Sequence, residues 1–133
     1  EKGYLQPDFL TIGLVSNTLA FGMKENSVII ADGFPRTIAQ SEALEKMLTY
    51  YGREVVDIIY IELSKEEAIK RMKLRGRSDD TDEGMIARFD EYVNNVIPSM
   101  NYFKDKAGYN LHAINGEQSI EAVHQDIIKA LNL

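Results

Sequence analysis

The stretch SVIIADGFPR, residues 27–36, decides the fold more than any other part of the chain. Its first five residues form an apolar, β-branched run that predicts a short buried strand. Asp32 and Gly33 follow at once, and Pro35 and Arg36 complete a turn. Because ligands of parallel α/β sheets bind beyond the carboxyl ends of the strands, this turn is a candidate binding site.

Helical and strand patterns alternate along the rest of the chain. Strands separated by helices of ten or more residues predict an α/β fold, a three-layer α/β/α sandwich with a parallel sheet. Ser64 and Glu67 further predict a capping box at the start of a helix. The elements predicted beside strand 27–31 are a helix from Pro7 to about Phe21, a helix from Thr37 to about Tyr50, a strand over 55–63, a helix from Ser64 to about Arg75, a helix from Thr81 to about Lys106 bent at Pro98, a strand over 111–115 and a helix over 119–131.

The turn after the first strand carries residue types that suit a phosphate beside a metal. Asp32 could hold a hydrated Mg²⁺ through water, and Gly33 lets the backbone approach a ligand closely. The planar fork of Arg36 suits a phosphate better than lysine would. Gln40 lies four residues beyond Arg36, so both side chains are expected on one face, and its amide could pair with adenine. An isolated Asp-Gly would merely punctuate a loop, but the whole pentapeptide with Gln40 favours a binding site.

A second cluster of cations occupies residues 71–77, with Arg88 on the following helix. Arg71 and Arg75 share a helical face, which is unfavourable in isolation and suggests a polyphosphate lying across them. Asp79 and Asp80 could orient these arginines when the site is empty. A charge run is often only a solvated face, and both interpretations stay open at this point.

Composition excludes several function classes. The 133 residues are 44% hydrophobic and 27% charged, as in a soluble, single-domain globular protein. The net charge of −6 argues against nucleic acid and anionic membranes as partners, and no apolar run is long enough to span a bilayer. The absence of cysteine fits a cytoplasmic location, and His112 and His124 lack metal-ligand spacing.

These motifs together resemble the adenylate kinase family of nucleoside monophosphate kinases, along the whole chain. The resemblance implies a P-loop NTPase-like fold, with residues 1–22 as the end of the monophosphate-binding region. It also implies a set of residues that bind AMP, some through the backbone: Tyr4, Leu5, Gln6, Gly33, Phe34, Pro35, Arg36 and Gln40.

The resemblance assigns the second cluster to ATP and to catalysis. Residues 75–81 would form a minimal lid loop without zinc ligands, supported by Asp79 and Asp80. Residues 115–118 would border the ATP adenine. The ATP-binding residues implied are Arg71, Arg75 and Gln118, and the catalytic ones are Arg77, Arg88, Arg36 and Asp32, with Asp32 near Mg²⁺.

The implied reaction is ATP + AMP = 2 ADP, with Mg²⁺ and no zinc, and a UMP/CMP kinase is the alternative within the family. Gln40 favours AMP. The glycine-rich phosphate loop with its lysine is absent from these residues. The resemblance implies that the N-terminal strands of the fold are missing with it. The chain is therefore expected to be the C-terminal part of one kinase domain, inactive alone and monomeric when complete. A non-catalytic remnant that binds nucleotide remains the other alternative.

Overall fold

The computed structural model describes residues 5–77 and 80–133. Its strands β1 and β2 pair in parallel, with Val56 opposite Tyr109 and Glu62 opposite Asn115. The α/β class and the parallel sheet are thus confirmed. The elements in chain order are α1 (Asp8–Gly22), α2 (Ile38–Tyr50), β1 (Val56–Glu62), α3 (Lys65–Arg75), α4 (Asp82–Glu91), a π-helical turn (Tyr92–Val96), α5 (Ile97–Asn101), β2 (Tyr109–Asn115) and α6 (Ile120–Ala130).

The helix starts follow from short polar side chains that satisfy free backbone N–H groups. The hydroxyls of Thr37, Ser64 and Ser119 each accept a hydrogen bond from the N–H three residues later, at the starts of α2, α3 and α6. α3 ends at Gly76, whose left-handed φ of 64° stops the helix. Because both signals are local, these boundaries agree with the sequence prediction.

The predicted capping box of α3 is only half formed. Ser64 Oγ accepts from the Glu67 N–H as expected, but the Glu67 carboxylate accepts from Lys70 and Arg71 instead of reaching back. The N–H of Ser64 donates to Glu117 Oε1 at 2.9 Å. A carboxylate from the loop after β2 therefore completes the cap.

The prediction of a buried strand over residues 27–31 is wrong for this structure. The segment has no regular secondary structure and, within residues 5–77 and 80–133, β1 and β2 are the only strands that pair. Val28 and Ile30 are 85% and 89% exposed. A strand needs a neighbouring strand to bond its backbone, and within the described residues no strand pairs with this segment. The guanidinium of Arg53 donates to the Ser27 carbonyl at 3.0 Å and ties down one end.

The long helix predicted to reach Lys106 ends earlier, at Asn101. The π-helical turn Tyr92–Val96 ends two residues before Pro98, which is the second residue of α5. Proline has no N–H to donate to the preceding turn, and a π-helical turn is one way a helix accommodates the missing bond. Asp105 has a φ of 64°, a left-handed conformation incompatible with continuing the helix.

The chain divides into two compact units. The helical unit, residues 5–54 and 90–103, contains α1, α2 and α5, and its core includes Leu44, Leu48 and Phe103. The sheet unit, the described part of residues 55–89 and 104–133, contains β1, β2, α3 and α6 and buries Ile114.

No helix in the described part of the chain combines the length and the apolar character needed to cross a membrane.

Candidate functional site

In the helical unit, the turn at residues 32–36 folds an arginine over a glycine. Arg36 Nε donates to the Gly33 carbonyl at 2.7 Å, and Gly33 has a φ of 70°. A Cβ added to Gly33 would lie 2.7 Å from Arg36 Nη2. Asp32, Gly33 and Arg36 are exposed, whereas Phe34 is buried and anchors the turn. The glycine therefore gives the Arg36 guanidinium its position.

Gln40 lies at the start of α2 and points inward. Gln40 is buried, with only 2% of the residue exposed. Oε1 accepts from the backbone N–H of Arg36 at 2.8 Å, and Nε2 donates to Asp8 Oδ1 at 2.8 Å. The expectation that Gln40 and Arg36 project from one helical face is wrong, because Arg36 precedes α2 and turns back to Gly33.

Of the residues expected to touch adenosine through the backbone, Leu5 is half-buried and Gln6 is exposed, both just before α1. Tyr4 lies outside the described residues, and Pro35 is half-buried beside Phe34. Sequence reasoning missed Asp8. Its position after Pro7 indicates a helix start, but no local signal indicates that it contacts α2 about thirty residues later in the chain.

In the sheet unit, one carboxylate gathers the arginines. The Asp80 side chain is 2% exposed and accepts from Arg75 through Nη2 at 2.6 Å and Nε at 3.1 Å. Arg88 Nη1 donates to Asp80 Oδ1, the oxygen that also accepts from Arg75 Nη2. The backbone N–H of Arg77 donates to Asp80 Oδ2 at 3.0 Å. Asp79 lies outside the described residues.

The charge of Asp80 is strongly stabilised by these contacts. The Arg75 guanidinium, followed by the Arg77 N–H and the Arg88 guanidinium, holds the pKa of Asp80 well below its usual range, against the opposing effect of burial. Asp80 is therefore ionised at neutral pH and provides a fixed negative charge. Arg75 and Arg88 keep their side chains 39% and 24% exposed around it.

Arg71 lies apart from this cluster and contacts the loop after β2. Its Nη2 donates to the Gly116 carbonyl at 2.8 Å and its Nε to Glu67 Oε1 at 2.8 Å. Gly116 is buried, and a Cβ there would lie 2.7 Å from the Glu62 carbonyl oxygen. Gln118, from the same loop, donates to Asp126 at 2.7 Å. The structure thus joins Arg71 to residues 115–118, and Arg75 to Arg88 through Asp80.

No group of three or more His, Asp or Glu side chains suited to a metal ion occurs within residues 5–77 and 80–133. Asp32 is an exposed single carboxylate. Mg²⁺ in phosphoryl-transfer sites is commonly held by one or two carboxylates, substrate phosphates and water, so Asp32 fits that pattern and does not form a site by itself.

Comparisons with known proteins agree on one family. The family model described as adenylate kinase matches residues 1–108. The adenylate kinase of Phocaeicola vulgatus is 37% identical over 98% of this chain, and that of Parabacteroides distasonis is 39% identical over 99%. The adenylate kinase of Bacteroides thetaiotaomicron is 35% identical over 99% of this chain. In each case the match spans 70% of the relative's own length.

Proposed function

The chain belongs to the adenylate kinase family of phosphotransferases, and we propose that its residues serve the reversible reaction ATP + AMP = 2 ADP. The observation that carries this proposal is the cluster in which Asp80 holds Arg75, Arg88 and the backbone of Arg77 together. The names of the relatives support AMP as the acceptor, over the UMP/CMP alternative.

The arginine cluster suits the chemistry of phosphoryl transfer. The reaction requires in-line positioning and positive charge around the moving group, with little covalent work from the protein. A guanidinium has five N–H donors, so one arginine can serve more than one oxygen. Arg75, Arg77 and Arg88 would hold the phosphates of the donor and the transferring group, while Asp80 keeps the guanidinium planes of Arg75 and Arg88 in place before the nucleotide arrives.

The turn in the helical unit suits the acceptor phosphate. Arg36 is exposed and fixed at its Nε by the Gly33 carbonyl, which leaves the guanidinium accessible at the turn. A phosphate that replaces water at this arginine gains a charge-assisted hydrogen bond. Gly33, Phe34 and Pro35 would shape the backbone beside it.

The Mg²⁺ that accompanies ATP would neutralise phosphate charge, and Asp32 is the carboxylate that could reach its water shell. Loop 75–81, between α3 and α4, is proposed as a short lid that excludes water when nucleotide binds. The loop at residues 115–118, fixed by Arg71, would border the adenine of ATP. A monomer in the cytoplasm is part of the same proposal, and the lack of cysteine supports the cytoplasmic location.

Nucleotide binding tests the acceptor half of this proposal directly. Titration calorimetry of the chain with AMP is expected to show binding that Arg36→Ala weakens at least tenfold, because a charge-assisted contact to phosphate is lost. Lys24→Ala removes one exposed charge from the same unit and should leave the affinity unchanged. Equal binding of CMP or UMP would support the alternative within the family, and no binding of any monophosphate would contradict the proposal.

ATP binding tests the proposed role of the arginine cluster around Asp80. Arg75→Ala should weaken ATP binding, whereas Lys73→Ala should not, since the contact of Lys73 with Asp82 at 3.7 Å joins two exposed side chains. Both residues lie on α3 and both changes remove one positive charge. The non-catalytic alternative predicts a different result: a version of the protein that carries a glycine-rich phosphate loop would bind both AMP and ATP but transfer no phosphate between them.

A further inference from the structure

Asp8 lies in the first turn of α1 and is half-buried within the helical unit. Its Oδ1 accepts from the Thr37 hydroxyl at 3.0 Å and from Gln40 Nε2 at 2.8 Å. A single carboxylate oxygen thus receives two donors from the start of α2. Thr37 Oγ1 in turn accepts from the Gln40 N–H, so the three side chains form one connected network.

The neighbours of the Gln40 amide determine which side its oxygen, Oε1, and its nitrogen, Nε2, each occupy. An ionised carboxylate only accepts hydrogen bonds, and a backbone N–H only donates them. Asp8 therefore requires Nε2 on its side, and the Arg36 N–H requires Oε1 on the other. The reversed amide would place oxygen against the Asp8 carboxylate and NH₂ against the Arg36 N–H, two unfavourable contacts in a residue that is 2% exposed.

The contacts with Asp8 and Arg36 use half of the hydrogen-bonding capacity of the Gln40 amide. A glutamine side chain offers two N–H donors and two acceptor positions. Asp8 takes one donor and Arg36 occupies one acceptor position, which leaves one of each in a fixed arrangement. Adenine presents an amino donor beside a ring-nitrogen acceptor, the pattern such a pair can match. Hypoxanthine presents a carbonyl acceptor beside an N–H donor, the reverse pattern, which only the reversed amide would match.

We propose that Asp8 is a positioning residue for base recognition: it holds the Gln40 amide in the orientation that favours adenine over hypoxanthine in the monophosphate site. The proposal rests on the proposed function, because it takes AMP as the ligand beside Gln40. A purely structural role is the competing explanation, since a carboxylate in the first turn stabilises α1 and its contacts join α1 to α2.

Asp8→Asn separates the two explanations. The substitution keeps the shape of the side chain but supplies both an NH₂ and an oxygen, so Asn can satisfy either orientation of the Gln40 amide. AMP binding, measured by titration calorimetry, is expected to weaken about three- to tenfold while IMP binding stays the same or strengthens. Asp90→Asn makes the same charge change at an exposed position of the same unit and should leave both affinities unchanged. A loss of the same factor for AMP and IMP would overturn the proposal in favour of a structural role.

The double substitution makes the test stricter. In a Gln40→Leu background, Asp8→Asn is expected to change the ratio of AMP to IMP affinity by less than about twofold, because Asp8 acts through Gln40. A change in that ratio as large as in the wild-type background would overturn the inference. Thermal unfolding of each variant shows that the compared proteins are folded.

A nuclear magnetic resonance measurement without nucleotide tests the contact itself. The side-chain NH₂ resonances of Gln40 should move when Asp8→Asn is introduced, and should stay in place in Asp90→Asn. If Asp8→Asn leaves these resonances in place, the inference about Asp8 is overturned and the proposed function is not affected. A folded wild-type chain that binds neither AMP nor IMP would instead overturn the proposed function, and the role of Asp8 with it.

Discussion

The two units organise their candidate site residues in different ways. In the helical unit, Gln40 is buried and its amide is bonded to a backbone N–H and to Asp8, while Gly33 provides the position of Arg36. In the sheet unit, Arg75 and Arg88 remain partly exposed and are drawn together by Asp80. A backbone carbonyl sets the position of Arg36 in the first unit, and a single charge draws Arg75 and Arg88 together in the second.

This difference has consequences for how each unit responds to change. Hydrogen bonds to backbone groups respond weakly to pH, whereas a cluster of cations around one carboxylate depends on that carboxylate staying ionised. The turn at residues 32–36 should therefore be sensitive to backbone substitutions, and the arginine cluster around Asp80 should be sensitive to changes of charge and pH.

The largest effect is expected for Arg88→Ala. An arginine that stabilises a transferring phosphoryl group contributes about 10³-fold or more to turnover, so kcat for ADP formation, measured in a version that carries a glycine-rich phosphate loop, should fall by at least about 10³-fold. The fold should survive, because Asp80 keeps its contacts with Arg75 and the Arg77 N–H. Steady-state kinetics and thermal unfolding check the two statements. Near-normal turnover would remove Arg88 from the catalytic role.

Gly33→Ala should impair the binding of AMP but not the binding of ATP. A Cβ at this position meets Arg36 Nη2 at 2.7 Å, and a φ of 70° costs a residue with a side chain about 1–2 kcal/mol. Displacement of the guanidinium should raise the KM for AMP about tenfold while the KM for ATP stays within twofold.

Gly13→Ala is the matched control for Gly33→Ala. Gly13 lies inside α1, and within the described residues nothing lies within 4 Å of an added Cβ. This variant should be more stable by about 0.5–1 kcal/mol with an unchanged KM for AMP. An equal rise of KM in both glycine variants would show that the effect is not local to the turn.

Asp80→Asn should make the sheet unit less dependent on pH. The pKa of Asp80 is lowered in the folded chain, chiefly by Arg75, so its stabilising contribution is complete above the unfolded value near 4 and is lost as pH falls toward the folded value. The variant should unfold a few degrees lower than wild type at pH 7, and the difference should shrink as the pH falls from 4 to 2. Thermal unfolding at several pH values measures this. A difference that stays constant with pH would contradict the assigned ionisation.

Local signals in the sequence predicted most of the elements. Helix caps at Thr37, Ser64 and Ser119 and the apolar run at residues 55–63 need only neighbouring residues to act, and the corresponding elements formed where expected. The segment 27–31 failed because a strand also depends on a partner, which its own apolar residues do not provide. The helix after Thr81 ends at Asn101, and the left-handed backbone at Asp105, which its sequence does not require, prevents a helix from reaching Lys106.

The residue types of the candidate site were also predictable, but their contacts were not. The residue types in the turn at residues 32–36, and the arginines from Arg71 to Arg88, predict phosphate binding. The inward orientation of Gln40 depends on Asp8, about thirty residues away, and the separation of Arg71 from the other arginines depends on Gly116. Such contacts come from tertiary packing, for which a single sequence contains no direct signal.

The smallest effect is expected for Asp57→Asn, which sharpens the contrast within the sheet unit. The hydrogen bond from His112, followed by that from Asn110, lowers the pKa of Asp57, so its contribution also falls away as pH drops below about 4. This pair is exposed, however, with Asp57 and His112 side chains 40% and 24% accessible, and exposed pairs contribute no more than about 1 kcal/mol. The unfolding temperature at pH 7 should therefore drop less than in Asp80→Asn, although each variant loses one carboxylate from the same unit. Equal drops would mean that enclosure by three donors gives Asp80 no special importance, and that charge alone, not the arginine cluster, stabilises this unit.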